Sequence, residues 1–369
     1  MADLTIEVEP GLDPPPRTDT GQPAAGQPGP ASSPPAPPPS FGSRVRRVGT
    51  APFRWLEAHP VKGALFGGYL VAFYFVQRDG VFYDRERLFP WLFLGVAILV
   101  IGSGWRRILE LVLYWVPFFL LWVAYDLIRG QADNGRSVAT TQPITAEKAL
   151  FLGKVPNNVL QDRFYVPQQV QWWEALTGIT YMTHFFVVYT TAAVLFIRNR
   201  ERFVRWMTAL VLLTVFGLLG YWLYPMAPPW MAADQGLIPD LARPGTRGLR
   251  LLHLTFADRL WVHGKDNSHM VNPVAAMPSL HAGYSMLFSW FFFKRTRRRW
   301  VKAILAFYPL AMAFTLVYGG EHYFIDILAG WLLAILAVEV SDRFHDWREQ
   351  RAARRESPAS RSEIAVPAG

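Results

Sequence analysis

Eight mostly apolar blocks punctuate the chain, at about 62–77, 88–103, 108–128, 178–197, 203–224, 279–293, 301–319 and 322–341. A helix needs about 20 apolar residues to cross a hydrocarbon core of about 30 Å. Most blocks approach that length; the first and sixth are short and must borrow flanking residues. Inside a bilayer, backbone N–H and C=O groups must satisfy one another, so apolar runs of this size predict helices. The pattern predicts an all-α fold, a polytopic membrane helical bundle of about eight transmembrane helices.

The polar segments between the blocks give an orientation. "WRR" (105–107), "RNRERFVR" (198–205) and "KRTRRRWVK" (294–302) fall on one side of an eight-span chain, together with "SRVRR" (43–47) and "RFHDWREQRAARR". Lys and Arg in short loops mark the cytoplasmic side. The loop "QRDGVFYDRER" fits less well on the other side, its three Arg balanced by three acids. The long loops, about 129–177 and 225–278, are then external and both termini internal. Both ends of the chain are polar. Residues 1–41, rich in Pro, Gly, Ala and Ser, carry too few large apolar side chains to offset chain entropy and are expected to be disordered. The same expectation holds for the tail from Glu349. No apolar stretch follows Met1, so a cleaved signal peptide is not expected. The implied organisation is a Pro-rich cytoplasmic N-terminus (1–50), two accessory helices (51–107), a catalytic membrane domain (108–341) and a polar cytoplasmic tail (342–369).

Composition agrees with a membrane protein: 51% of residues are hydrophobic, 15% aromatic, and Trp occurs 15 times. The absence of cysteine excludes disulfides, thiolate catalysis and Cys-ligated metal or iron–sulfur centres. The net charge of +9 lies mostly in the short loops, where it reads as topology signals or anionic-lipid contacts rather than a nucleic-acid footprint.

Two blocks carry chemistry at their margins. "MPSLHAGYSMLFSWFFF" places His281 at the start of the sixth, and "VYGGEHYFIDILAGWLLAIL" places His322 and Asp326 at the start of the eighth. By the eight-span topology all three share one membrane face and one depth. Helical spacing brings Asp326 to the ring of His322. A carboxylate that accepts from one imidazole nitrogen fixes the tautomer and leaves the other nitrogen free to attack. His281, opposite, is placed to donate a proton to a leaving oxygen. This is the minimum equipment for phosphoryl transfer through a phosphohistidine. A single His at a span boundary is ordinarily just an interfacial polar group, and His184 in "YMTHFF" is read that way. An Asp inside an apolar block is costlier, about 2.5–3.5 kcal/mol on insertion scales, and calls for a partner. Two His and a carboxylate also suit a metal, but no further ligand cluster accompanies them, and neither metal nor cofactor is expected.

The motifs resemble a family. "AAMPSLHAGYS" (275–285) and "YGGEHYFIDILAG" (318–330) look like two signature motifs of the type-2 phosphatidic acid phosphatase (PAP2) superfamily, closest to its inositolphosphotransferase (Aur1/Ipt1-like) branch. "YPMAPPW" (224–230) looks like a Pro-rich motif of that branch. The resemblance spans roughly 110–341 and implies a six-helix core, with His322 as nucleophile, Asp326 as its orienting carboxylate and His281 as acid/base. It also implies a membrane lipid phosphate or phospholipid as substrate and an alcohol or water as acceptor; separately, the Ala- and Arg-rich composition, the lack of cysteine and the Pro-rich head suggest a bacterial inner or plasma membrane. Two cations of the phosphatase branch are missing: Gly236 stands at the expected Lys, and Thr315-Leu316 stand near the expected Ser-Arg. The transferred phosphate still needs donors. Candidates are Lys265, Arg243, Arg247 and Arg250 in the second long loop, Arg163 in the first, Tyr318 in the hairpin before His322, and Pro278 with Ser279. The last two are expected to open the sixth helix as first-turn Pro and polar cap, aiming backbone amides outward. Gly319-Gly320 is expected to let a helix begin directly at His322.

Two loop segments are expected at the headgroup layer: 150–176, ending in Trp172 and Trp173, and an amphipathic helix over 247–264 with Leu249, Leu252, Phe256 and Leu260 on one face. The alternatives to a lipid phosphotransferase are a lipid or polyprenyl phosphate phosphatase and, from another class, a proton-coupled transporter using the His/Asp pair. No inverted repeat or broken-helix pair supports the last.

Overall fold

Each apolar block lies on a helix. A computed structural model describes residues 59–78, 85–130, 136–245, 247–252 and 274–356, all within the compact unit Leu56–Gly369. The eight helices are α1 (Pro60–Arg78), α2 (Arg85–Val100), α3 (Trp105–Gly130), α6 (Trp172–Arg198), α7 (Arg200–Leu223), α9 (Leu280–Phe293), α10 (Arg299–Tyr318) and α11 (Phe324–Glu356). Short helices α4 (Thr141–Leu150), α5 (Pro156–Phe164) and α8 (Pro229–Asp234) and a 3-10 turn (Arg247–Leu252) fill the long loops. Four helices, α6, α7, α10 and α11, are long and apolar enough to cross a membrane. Shorter apolar helical stretches run over Pro60–Val76 and Pro90–Val100. Among the described residues no strand forms; Ala139, Met226 and Ala275 pair only as isolated bridges.

Helix boundaries follow local chemistry. Asn199 ends α6, its N–H bonded to Leu195 O at 2.8 Å, and starts α7, its side chain accepting from Arg202 N at 2.9 Å. A single capping residue thus makes the α6–α7 turn tight. The core lies between α7, α9 and α11, where Leu210, Leu213, Leu287, Phe291, Ala334 and Val338 are buried and Trp206 meets Phe291 edge-on at 5.1 Å. The closest approach in that core is between α9 and α11. A methyl at Gly283 would lie 3.3 Å from the Gly330 carbonyl, and one at Gly330 would run into Ser279 O. Only glycine permits that crossing.

Three expectations need correction. The last helix does not give way to a disordered tail at Glu349 but runs to Glu356. Its charged turns find partners on the neighbouring elements: Arg205, on α7, meets Asp346 at 2.6 Å and Glu349 at 2.9 Å, and Lys294, past α9, meets Glu339 at 2.8 Å. The amphipathic helix over 247–264 is a 3-10 turn as far as Leu252. Leu249 is buried against Gly178 of α6, so it packs on the bundle rather than on lipid; Phe256 and Leu260 lie outside the described residues. Pro278 is not the first residue of α9: Ser279 is its N-cap, accepting from Ala282 N at 3.3 Å, and Pro278 precedes the cap. The disorder expected for residues 1–41 and for the tail beyond 356 concerns residues outside those described.

Candidate active site

The α10–α11 turn carries the reactive residues, and its conformation comes from its own polar groups. Gly320 takes φ +69°, a conformation that disfavours side chains. The chain does not re-enter a helix at His322 as expected; α11 begins two residues later, at Phe324. The reason is Asp326, whose Oδ2 accepts the Tyr323 N–H at 3.0 Å and caps the helix from within its first turn. That same oxygen lies 3.3 Å from Nδ1 of His322. The pairing expected from helical spacing therefore forms, but through a cap rather than along a helix face.

His281 approaches from α9. The Ser279 N–H donates to the Asp326 backbone carbonyl at 3.0 Å, stapling the first turns of α9 and α11 together just above the glycine crossing. His281 Nδ1 then lies 3.4 Å from His322 Nε2. If Nδ1 of His322 donates to Asp326, Nε2 holds the lone pair and His281 Nδ1–H is the donor across that contact. His322 and Asp326 are buried, the latter completely, and His281 is partly open.

Second-helix residues hold this arrangement. On α6, Tyr181 and His184 interleave with His281 and Tyr284 of α9: His281 stacks on Tyr181 at 5.2 Å and lies 4.1 Å from the His184 ring, which stacks on Tyr284 at 5.3 Å. His184 is thus part of the site's wall rather than a lone interfacial imidazole. From α5, Asn157 donates to the carbonyls of Val317 (2.8 Å) and His322 (3.0 Å), and Gln161 donates to Tyr318 O (2.7 Å) and Ala242 O (2.8 Å). From α8, the Trp230 N–H donates to Gly320 O at 3.1 Å, so the "YPMAPPW" segment braces the same turn. From α4, Glu147 Oε1 accepts the Ile325 N–H at 2.9 Å.

The candidate phosphate donors divide. Arg243 pairs with Glu321 at 3.0 Å, next to His322, and lies over the Trp230 ring at 4.5 Å. Arg247 pairs with Glu174 at 2.5 Å and with the Val166 and Pro167 carbonyls, away from the imidazoles. Tyr318 donates its hydroxyl to the same Glu174 at 2.5 Å. Buried carboxylates thus claim Arg247 and Tyr318, because an unpaired buried charge is costly. Arg163 and Arg250 are exposed, and Lys265 lies outside the described residues. Of the candidate cations among the described residues, Arg243 is the one paired with a direct sequence neighbour of His322. Sequence reasoning missed Glu147, Asn157, Gln161, Glu174 and the role of His184. The one visible signal was the i, i+4 pair Asn157 and Gln161 on a segment read as lying on the membrane.

A small cleft is lined by Thr177, Tyr181, Thr315, Tyr318 and Glu321 among others; it adjoins the imidazoles through Tyr181, which stacks on His281, and Glu321, which precedes His322. Among the described residues no group of three or more His, Cys, Asp or Glu is arranged to hold a metal ion.

Residues 158–340, which include every side chain of the imidazole site, match the family model described as PAP2 superfamily. This segment is a PAP2 superfamily domain. The chain is 28% identical over 233 residues to a phosphoinositol dihydroceramide synthase of Bacteroides thetaiotaomicron, covering 60% of this chain and 73% of that one. It is 28% identical over 191 residues to the inositol phosphorylceramide synthase catalytic subunit aur1 of Schizosaccharomyces pombe, covering 50% of this chain and 41% of that one. Against an inositol phosphorylceramide synthase of Candida albicans it is 29% identical over 164 residues, 42% and 33% of the two chains. No solved structure matches the chain. The chain is thus similar to phosphotransferases of the PAP2/Aur1 type.

Proposed function

We propose that this enzyme is a lipid phosphotransferase that acts at the external leaflet of the plasma (inner) membrane through a phosphohistidine. It moves a phospho-headgroup, inositol-phosphate-like, from a lipid donor to an alcohol. The observation that carries this reading is the linear set Asp326 Oδ2, His322 Nδ1, His322 Nε2, His281 Nδ1, with contacts of 3.3 and 3.4 Å. Asp326 holds the proton on Nδ1 and stabilises the cation that forms as Nε2 attacks phosphorus. His281 donates to the leaving oxygen in the first half-reaction and accepts from the incoming hydroxyl in the second. A phosphate does not fit between nitrogens 3.4 Å apart, so substrate displaces the His281–His322 contact and leaves His281 facing a phosphate oxygen.

Two observations support transfer to an alcohol over hydrolysis and over proton transport. The similar proteins are synthases of inositol phosphate-bearing lipids. The cleft next to Tyr181 is lined by the Glu321 carboxylate and the hydroxyls of Thr177, Tyr181 and Thr315, a lining that disfavours a second charged phosphate. The basic loops 105–107, 198–205 and 294–302, which mark the cytoplasmic side in an eight-span reading, support an external position for this site.

The test is to incubate purified protein with labelled candidate lipids and trap the enzyme. A phosphoenzyme that is acid-labile and base-stable, present in the wild type and lost in His322→Ala, is expected. Turnover by His322→Ala within about tenfold of wild type overturns the nucleophile.

A further inference from the structure

Glu147 belongs to the first long loop, 178 residues from the helix it touches, and was assigned nothing by the motifs. It is fully buried. Oε1 is fixed by the Ile325 N–H, while Oε2 is buried with no hydrogen-bond partner. Two other buried atoms beside the same helix terminus are also without a partner: Asp326 Oδ1 and the Tyr323 hydroxyl. A native interior rarely leaves one such atom unsatisfied. Three around one helix start mark a place where a proton is shared or moved rather than simply a packed core.

Resting on the transferase reading above, we propose that Glu147 is a positioning residue of the His322–Asp326 pair. It anchors the first turn of α11, and its charge acts on the Asp326 carboxylate that orients His322.

The geometry supplies both halves. Ile325 directly precedes Asp326, so the bond to Glu147 fixes the backbone that aims the Asp326 carboxylate at His322. The titratable groups facing Glu147 are Asp326, on α11, and Tyr323, in the turn before it; the surrounding cluster is otherwise apolar, built from Ile144, Val155, Met226 and Ala276. Burial, and then the Asp326 charge, push the Glu147 carboxyl up to about 7, against the opposing pull of the amides it accepts. Burial, with the charges of Asp326 and Glu147, also pushes the Tyr323 phenol up, so it stays protonated and is available as a donor. Glu147 therefore changes charge near neutral pH. Uncharged, it leaves the Asp326 carboxylate unopposed as the partner of His322. Ionised, it sets a second negative charge against Asp326 at the start of α11 and weakens the hold of that carboxylate on the imidazole. Transfer therefore slows as pH rises through the Glu147 titration.

The experiment is the pH dependence of headgroup transfer by full-length protein in detergent or proteoliposomes, for wild type, Glu147→Gln and Glu147→Ala, with thermal melting of each. Gln keeps an oxygen for Ile325 N–H but carries no charge. The expected result is that Glu147→Gln folds as wild type and lacks the fall in transfer rate that wild type shows as pH rises through about 7. Glu147→Ala loses the anchor and about tenfold in kcat, with KM nearly unchanged. A Glu147→Gln profile superimposable on wild type overturns the proposal, even if Glu147→Ala is impaired, because Glu147 is then only a packing residue. A wild type inactive on every donor, with no phosphoenzyme, instead overturns the transferase reading, a distinct outcome.

Discussion

Asp326 does two things with one oxygen: it accepts from the imidazole it orients and caps the helix it stands on. Asp326→Asn keeps an oxygen for the cap but removes the charge that stabilises the imidazolium. Its expected phenotype is a folded protein with kcat down by about 10²–10⁴, read from single-turnover assays alongside a melting curve. The neighbouring imidazole His184 separates shape from charge. His184→Phe retains a ring against His281 and Tyr284 and is expected to stay within about threefold of wild-type kcat. His184→Ala lets the His281 ring tilt and costs about tenfold. Equal loss in both would show that the imidazole itself takes part. At this scale much of the site was legible in the sequence, because an ionisable group inside an apolar run demands a reason. His281, His322 and Asp326 stood out for that reason, and the structure brings all three together. His184 did not stand out, because its meaning depends on which helix lies opposite.

Among the elements, α9 and α11 are joined by a backbone staple and a glycine crossing. Gly330→Ala adds a methyl that collides with the Ser279 carbonyl. The gain in helix propensity of about 1 kcal/mol is outweighed by overpacking worth about 1–3 kcal/mol. A lower melting temperature together with lost activity is expected, since the same displacement draws His281 away from His322. The short helix α5 acts differently. Asn157→Ala strips donors from two buried carbonyls, Val317 and His322, and should destabilise by about 1–3 kcal/mol, measured by thermal or chemical denaturation. Apolar runs legibly mark helices because a bilayer leaves the backbone no other solution. The loop helices were legible only as amphipathic or Pro-broken segments. Their partners are carbonyls 157–165 residues away, and a side chain that serves a distant backbone group leaves no periodic trace. The last helix misled for a similar reason: its polar end reads as a tail until Arg205 is seen among Asp346 and Glu349.

At the scale of the whole molecule, chemistry and anchoring occupy opposite ends of the bundle. α9 starts at the imidazoles and ends, about 20 Å further on, at the ion pairs of Lys294 with Glu339 and Asp342. Arg205→Ala is therefore expected to lower thermal stability by about 0.5–1 kcal/mol, since the Asp346 and Glu349 carboxylates it pairs with are more than half exposed, while kcat per folded molecule is unchanged. The sidedness proposed above is directly testable because the chain contains no cysteine. A single cysteine at exposed Leu152, in the α4–α5 link, should react with a membrane-impermeant thiol reagent in intact cells, whereas one at exposed Trp347 should react only after permeabilisation. The reverse pattern would put the site inside the cell.

The staple between Ser279 and Asp326 also has a consequence in time. Translation delivers the two halves of the catalytic machinery about forty residues apart, and the later half rides on the final described helix. A nascent chain that has made every preceding segment still lacks His322, the residue we propose as nucleophile. Premature termination anywhere before α11 thus yields an inserted but inert protein, and the newborn enzyme cannot touch surrounding lipids until its scaffold is complete.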